Sequence, residues 1–91
     1  MYPNLKILMV ATPKPITQKE LAKIINKTRG AITQKLQGKI EFKGSEVFKI
    51  TEYFRQYFPS VTSDDLFSFE LKETIVTAIK EYIQNQNKKV V

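Results

Sequence analysis

Ninety-one residues with a net charge of +6 make one small domain with a modest core and leave no room for a second. The chain has neither cysteine nor histidine, which rules out disulfide frameworks, thiol chemistry, the common zinc sites and histidine acid/base catalysis. No signal-peptide pattern opens it and no apolar run approaches the ~20 residues of a membrane span, so a cytoplasmic protein with no membrane partner is expected.

The charge is unevenly placed. Residues 1–58 hold eleven basic and four acidic side chains, and residues 59–91 hold four basic and five acidic. Between Glu20 and Glu41 lie Lys23, Lys27, Arg29, Lys35 and Lys39 with no acidic residue among them. Such a run is either a solvated face or a surface for phosphates, and its overlap with a predicted helix that can read a groove favours the phosphates.

In chain order, a first helix is predicted from about Leu5 to Ala11, after Pro3 and Asn4 and before the TPKP segment, where proline disfavours helix in the residue ahead of it. Leu5, Leu8 and Met9 suit a core, whereas Ile7 and Val10 either join a tight core or form a partner surface. Thr17 then begins a second helix as its cap, with Glu20 placed to complete a capping box and Ile16 and Leu21 to staple the entry. Leu21, Ile24 and Ile25 form an apolar face in which Ala22 permits close approach of another helix. Asn26 tolerates the left-handed conformation of a helix end. Thr28 caps a third helix, Arg29 to Gln37, that buries Ile32 and Leu36 and ends at Gly38. Its other face carries Arg29, Thr33, Gln34 and Gln37, side chains that hydrogen-bond base edges.

Past the loop KIEFKG, where Phe42 is the expected anchor, Ser45 is the predicted cap of a fourth helix reaching about Tyr57 and stopped by Pro59. Val47, Phe48, Ile50, Phe54 and Phe58 are its expected apolar residues. Tyr53, Phe54, Tyr57 and Phe58 could serve base stacking, but helical spacing makes core packing the simpler account. Thr62 and Asp65, with Val61 and Leu66, repeat the capping pattern for a short fifth helix. Asp64 and Asp65, adjacent on a helix, do not face each other, and carboxylates suit a first turn, so no metal or acid/base site is read there. A sixth, amphipathic helix is predicted over residues 70–86, with Leu71, Ile75, Ala78, Ile79, Tyr82 and Ile83 as its stripe. That stripe either folds back on its own domain or pairs with a second subunit. The tail from Asn85 to Val91 is expected to fray.

Across Gln18, Leu21, Ala22, Ile25, Thr28, Arg29, Ile32, Gln34, Leu36, Gly38 and Lys39 the chain resembles the helix-turn-helix domain of the lambda-type repressors and Cro proteins, in the XRE group of bacteria and phages. NLK, ITQKELA, KLQGKxxF, SEVFKI and VTSDDLF extend the resemblance over roughly residues 2–67. It implies an all-α fold: a five-helix repressor-type DNA-binding domain over residues 1–69, with its helix-turn-helix at about 17–38. The sixth helix and tail, residues 70–91, lie beyond the resemblance and are a candidate dimerisation element.

The implied function is sequence-specific binding of double-stranded DNA by a transcriptional regulator, as a homodimer through helix 70–86 on an inverted repeat. Carried over from the resemblance, Arg29, Thr33 and Gln34 are candidates for reading bases, while Gln18, Lys27, Thr28, Lys39 and Lys43 are candidates for phosphate contacts. The chain departs from the family pattern at Asn26, at Lys27 and at Gly30. Gly30 stands where a base-reading side chain is common, and either lets the backbone approach DNA or leaves fewer direct contacts. The alternative is a helix-turn-helix-fold protein-binding module or inhibitor using Ile7, Val10 or the sixth helix against a protein. An enzyme is not expected, nor a cofactor, metal or small-molecule substrate, because there is no nucleophile and base pair, phosphate loop or ligand cluster.

Overall fold

Proline has no amide to leave unpaired and its ring presets a helical φ, so the chain enters its first helix at Pro3, two residues ahead of Leu5. In the computed structural model, which describes residues 2–90 and the side chains of residues 2–86, this helix, α1, spans Pro3–Ala11. Five more follow: α2 Gln18–Ile24, α3 Arg29–Leu36, α4 Gly44–Arg55, α5 Ser63–Leu66 and α6 Glu73–Val90. The described residues contain no strand, in keeping with the all-α expectation. None of the helices described is long and apolar enough to cross a membrane.

Every helix contributes to one core. Leu5 and Leu8 of α1, Leu21 of α2, Ile32 of α3, Ile50 and Phe54 of α4, Leu66 of α5 and Ile75 of α6 are all fully buried. Each such side chain is worth about 1.5–3 kcal/mol relative to exposure. Met9 and Ile7 are half-buried against this core, and Val10 is 67% exposed. Tyr53, Phe54, Tyr57 and Phe58 pack rather than stack openly. Phe54 and Phe58 are buried, Tyr53 lies edge-on to Phe54, and Phe58 meets Tyr82 of α6 at 5.3 Å between ring centroids.

Two expectations for α4 are corrected. Its cap is Lys43, not Ser45. The amide of Lys43 is satisfied from inside the helix, donating to Glu46 Oε1 at 2.9 Å, and this bond from the third helical residue fixes the helix start one residue ahead of Gly44. Phe48, expected in the core, is 65% exposed. At about 100° per residue it stands well off the stripe made by Val47, Ile50, Phe54 and Phe58.

The amphipathic α6 starts three residues later and runs four residues further than the expected 70–86. It packs on α1 and α5, with Ile75 and Ala78 buried and Ile79 and Tyr82 half-buried. Leu71 precedes the helix and is exposed, as are Val76 and Ile83 on its outer edge. The tail expected to fray from Asn85 continues the helical backbone of α6 to Val90, and Val91 lies outside the described residues.

Asn4 holds the two ends of the core together. Fully buried, it donates from Nδ2 to the carbonyls of Asp65 at 2.9 Å and Glu70 at 2.7 Å. Its Oδ1 accepts from the amide of Lys72 at 2.9 Å. The first turn of α1 is thus bonded to the segment leading into α6, across the expected boundary between residues 69 and 70.

Candidate nucleic-acid interface

Both ends of α2 and α3 are fixed by the residues that sequence singled out. Thr17 Oγ1 accepts from the amide of Glu20 at 3.2 Å, and Thr28 Oγ1 accepts from that of Ala31 at 3.2 Å. In α2 the chain then leaves through Asn26, whose φ is 56°. The amide of Asn26 donates to Lys23 O and that of Lys27 to Ala22 O, the paired closing bonds of a Schellman end. α3 ends the same way, with Gly38 at φ 79° and with Gly38 N to Lys35 O and Lys39 N to Gln34 O. Two short helices therefore meet at a fixed turn, with Ala22 buried where α2 packs on α3.

The faces of α3 separate cleanly. At about 100° per residue, Arg29, Thr33, Gln37, Gly30 and Gln34 fall within an arc of about 140°, and Ala31, Lys35, Ile32 and Leu36 fall within the opposite one. Arg29, Gly30, Gln34 and Gln37 are exposed and Thr33 half-buried, while Ile32, Lys35 and Leu36 are buried. Thr33 is not a free side chain. Its Oγ1 lies 2.8 Å from Gln18 Oε1 and 3.0 Å from the carbonyl of Arg29. The Gln18 oxygen is thus engaged with Thr33, and Gln18 is half-buried. The first residue of α2 and the middle of α3 are so brought together.

Lys27, Thr28, Lys39 and Lys43 are all exposed, at the turn before α3 and on the loop after it. Lys6 of α1, which sequence reading left out, lines one shallow depression with Gln18, Thr33, Leu36 and Gln37. Its signal is spatial, because nothing in the first helix marks one lysine as neighbour to residues 18, 33 and 37.

Lys35 is the correction within the basic run. Only 4% exposed, it contributes nothing to a phosphate surface. Its Nζ donates to Glu46 Oε1 at 2.7 Å and to Glu41 O at 3.3 Å. Burial pushes the Glu46 carboxyl up, but the hydrogen bonds from Lys35 and the Lys43 amide, together with the charges of Lys35 and Lys27, outweigh it and hold the group below its ordinary value. Glu46 Oε2 is buried without a partner among the described residues.

Gly30 is neither strained nor crowded. A Cβ there would meet only Thr28 Oγ1, at 4.0 Å. Among the described residues no group of three or more acidic side chains is placed to hold a metal ion. What the surface offers is donors and cations around one exposed helix face, which suits a polyanion carrying hydrogen-bonding edges. No protein-family model matches the chain, and no curated protein or solved structure is significantly similar to it.

Proposed function

We propose that the chain is a sequence-specific double-stranded-DNA-binding transcriptional regulator of the Cro/repressor type, in which α2, the turn and α3 act as a helix-turn-helix. The observation that carries this reading is the outward arc of α3, where Arg29, Gln34 and Gln37 are exposed, with Lys6 beside Gln37 and with exposed Lys27, Lys39 and Lys43 on the segments that flank the helix in sequence. The major groove of B-DNA, about 12 Å wide, admits one α-helix of this kind and shows a distinct pattern of donors, acceptors and methyl groups for each base pair.

In that groove the Arg29 guanidinium suits guanine, donating to O6 and N7, and the Gln34 amide suits adenine, giving one bond and accepting another. Thr33, held by Gln18, offers its methyl group to thymine. The Gln18 NH2, Thr28 and the lysines contact phosphates, which set the register of the protein without reading sequence. A single module buries only about 600–1,000 Å² on DNA, so two copies on an inverted repeat, with half-sites about 34–36 Å apart, complete the reading. The edge of α6 that stays exposed, with Val76 and Ile83, is the surface offered for pairing.

Selection from a random duplex pool at two salt concentrations, run with the wild-type chain and with Arg29→Ala/Gln34→Ala, tests this. An enriched inverted repeat that the double variant fails to enrich is the expected result. Weak binding without preference, equal in both proteins, would refute it. The second reading, a protein-binding module or inhibitor, draws on the exposed Val10 and Phe48 and has no need of salt-sensitive duplex binding, so the same experiment separates the two.

A further inference from the structure

The segment between α3 and α4 carries two of the proposed phosphate contacts, Lys39 and Lys43, and it is short of regular structure. It is nonetheless tied at successive points to one buried ion pair. Lys35 Nζ bonds the carbonyl of Glu41 at 3.3 Å and lies 5.6 Å from the centroid of the Phe42 ring. Glu46 Oε1, the oxygen that pairs with Lys35 at 2.7 Å, also accepts from the amide of Lys43 at 2.9 Å. Phe42 in turn meets Tyr2 and Phe67 edge-on. At its other end the segment starts from Gly38 at φ 79° and from the bond of Lys39 N to Gln34 O.

Stability alone is a poor reason for this pair. Removing two charges from water has a large penalty, and apolar side chains of similar volume often serve a core as well or better. Here the penalty is not fully offset, since Glu46 Oε2 has no partner among the described residues. What apolar residues could not do is hold a carbonyl and an amide of a neighbouring segment at fixed distances.

Building on the DNA-binding reading, we propose that Lys35 and Glu46 are positioning residues for the DNA-backbone contacts. They lock residues 39–43 to α3, so that Lys39 and Lys43 reach phosphates in register with the side chains that read bases.

The test uses two double variants that leave no unpaired buried charge. Lys35→Met/Glu46→Leu removes the whole network, whereas Lys35→Met/Glu46→Gln keeps an acceptor for the Lys43 amide. The first is expected to remain folded, with a urea midpoint at or above that of the wild-type chain. Its Lys43 amide, which loses its acceptor, is expected to exchange hydrogen on the order of tenfold faster. On the selected duplex its salt slope should be smaller by about two per protomer, the share of two lost phosphate contacts, while the bases preferred by Arg29 and Gln34 stay the same. The Gln-containing variant should recover most of the exchange protection and part of the slope. If the folded Met/Leu variant keeps wild-type exchange, affinity and slope, the pair is structural filling and the proposal fails. Should the wild-type chain bind no duplex at all, the DNA reading fails, and the exchange rates still decide whether the pair orders the segment.

Discussion

The side chains of Arg29 and Gln34 are exposed and make no hydrogen bond among the described residues, so their replacement is expected to probe reading rather than folding. Each change to Ala is expected to lower affinity for the selected site by about 1–3 kcal/mol and to relax preference at one base position, with the thermal midpoint unchanged. Lys6→Ala should instead weaken binding to all sequences alike and reduce the salt slope by about one; competition with nonspecific duplex distinguishes these patterns. Gly30→Ala is expected to raise stability by up to about 1 kcal/mol, because a Cβ there meets only Thr28 Oγ1, at an ordinary contact distance of 4.0 Å, and the unfolded chain loses freedom. Glu46 gives a pH dependence of fixed sign. Its carboxyl is held below the ordinary 4.5, so its stabilising contribution is fully present above that pH and is lost as pH falls through the depressed folded value. Urea midpoints taken downward through this range should fall for the wild-type chain, and Lys35→Met/Glu46→Gln should remove that component of the fall.

At the scale of elements, the two helices of the proposed reading unit owe their limits to side chains that act locally. Thr28→Ala should cost about 1 kcal/mol by leaving the Ala31 amide without its cap, which a denaturant titration measures directly. Local rules of this kind were legible in advance: Thr17, Thr28 and Thr62 as caps, and Asn26 and Gly38 as left-handed ends, follow from covalent geometry that no distant contact overrides. The cap of α4 was not legible in the same way, because Ser45 supplies the usual hydroxyl whereas the chain closes on the backbone of Lys43 through Glu46. The exposure of Phe48 and the burial of Lys35 were both implicit in the helical angle, which puts Phe48 outside the apolar stripe of α4 and Lys35 in the middle of the inner arc of α3. Residue type obscured them, since an aromatic reads as core and a lysine as surface. What the angle could not supply is the partner that makes a buried Lys35 tolerable, Glu46, eleven residues away. The packing of α6 on α1 was equally out of reach, since an amphipathic stripe says that it must be covered and not by what.

For the molecule as a whole, the least legible feature is Asn4, a polar residue in a first turn that sequence reading passed over as a lead-in. Its three hydrogen bonds span sequence separations of 61, 66 and 68 residues. Asn4→Ala leaves two carbonyls and one amide without their partner and is expected to destabilise the fold by about 3 kcal/mol, a large part of the ~5–15 kcal/mol that holds a small domain together. The measurement is equilibrium unfolding followed by both helical signal and tyrosine fluorescence, whose coincidence would show that α6 melts with the rest. The same bonds set an order of events. Contacts so distant along the chain form only after a long loop has closed, and such closure slows folding even among helical proteins. During synthesis the α2–α3 pair leaves the ribosome well before Lys72 does. The proposed reading surface therefore exists for a time on a chain in which Asn4 still lacks its partners, and that interval is expected to be more open to aggregation or proteolysis than the finished fold.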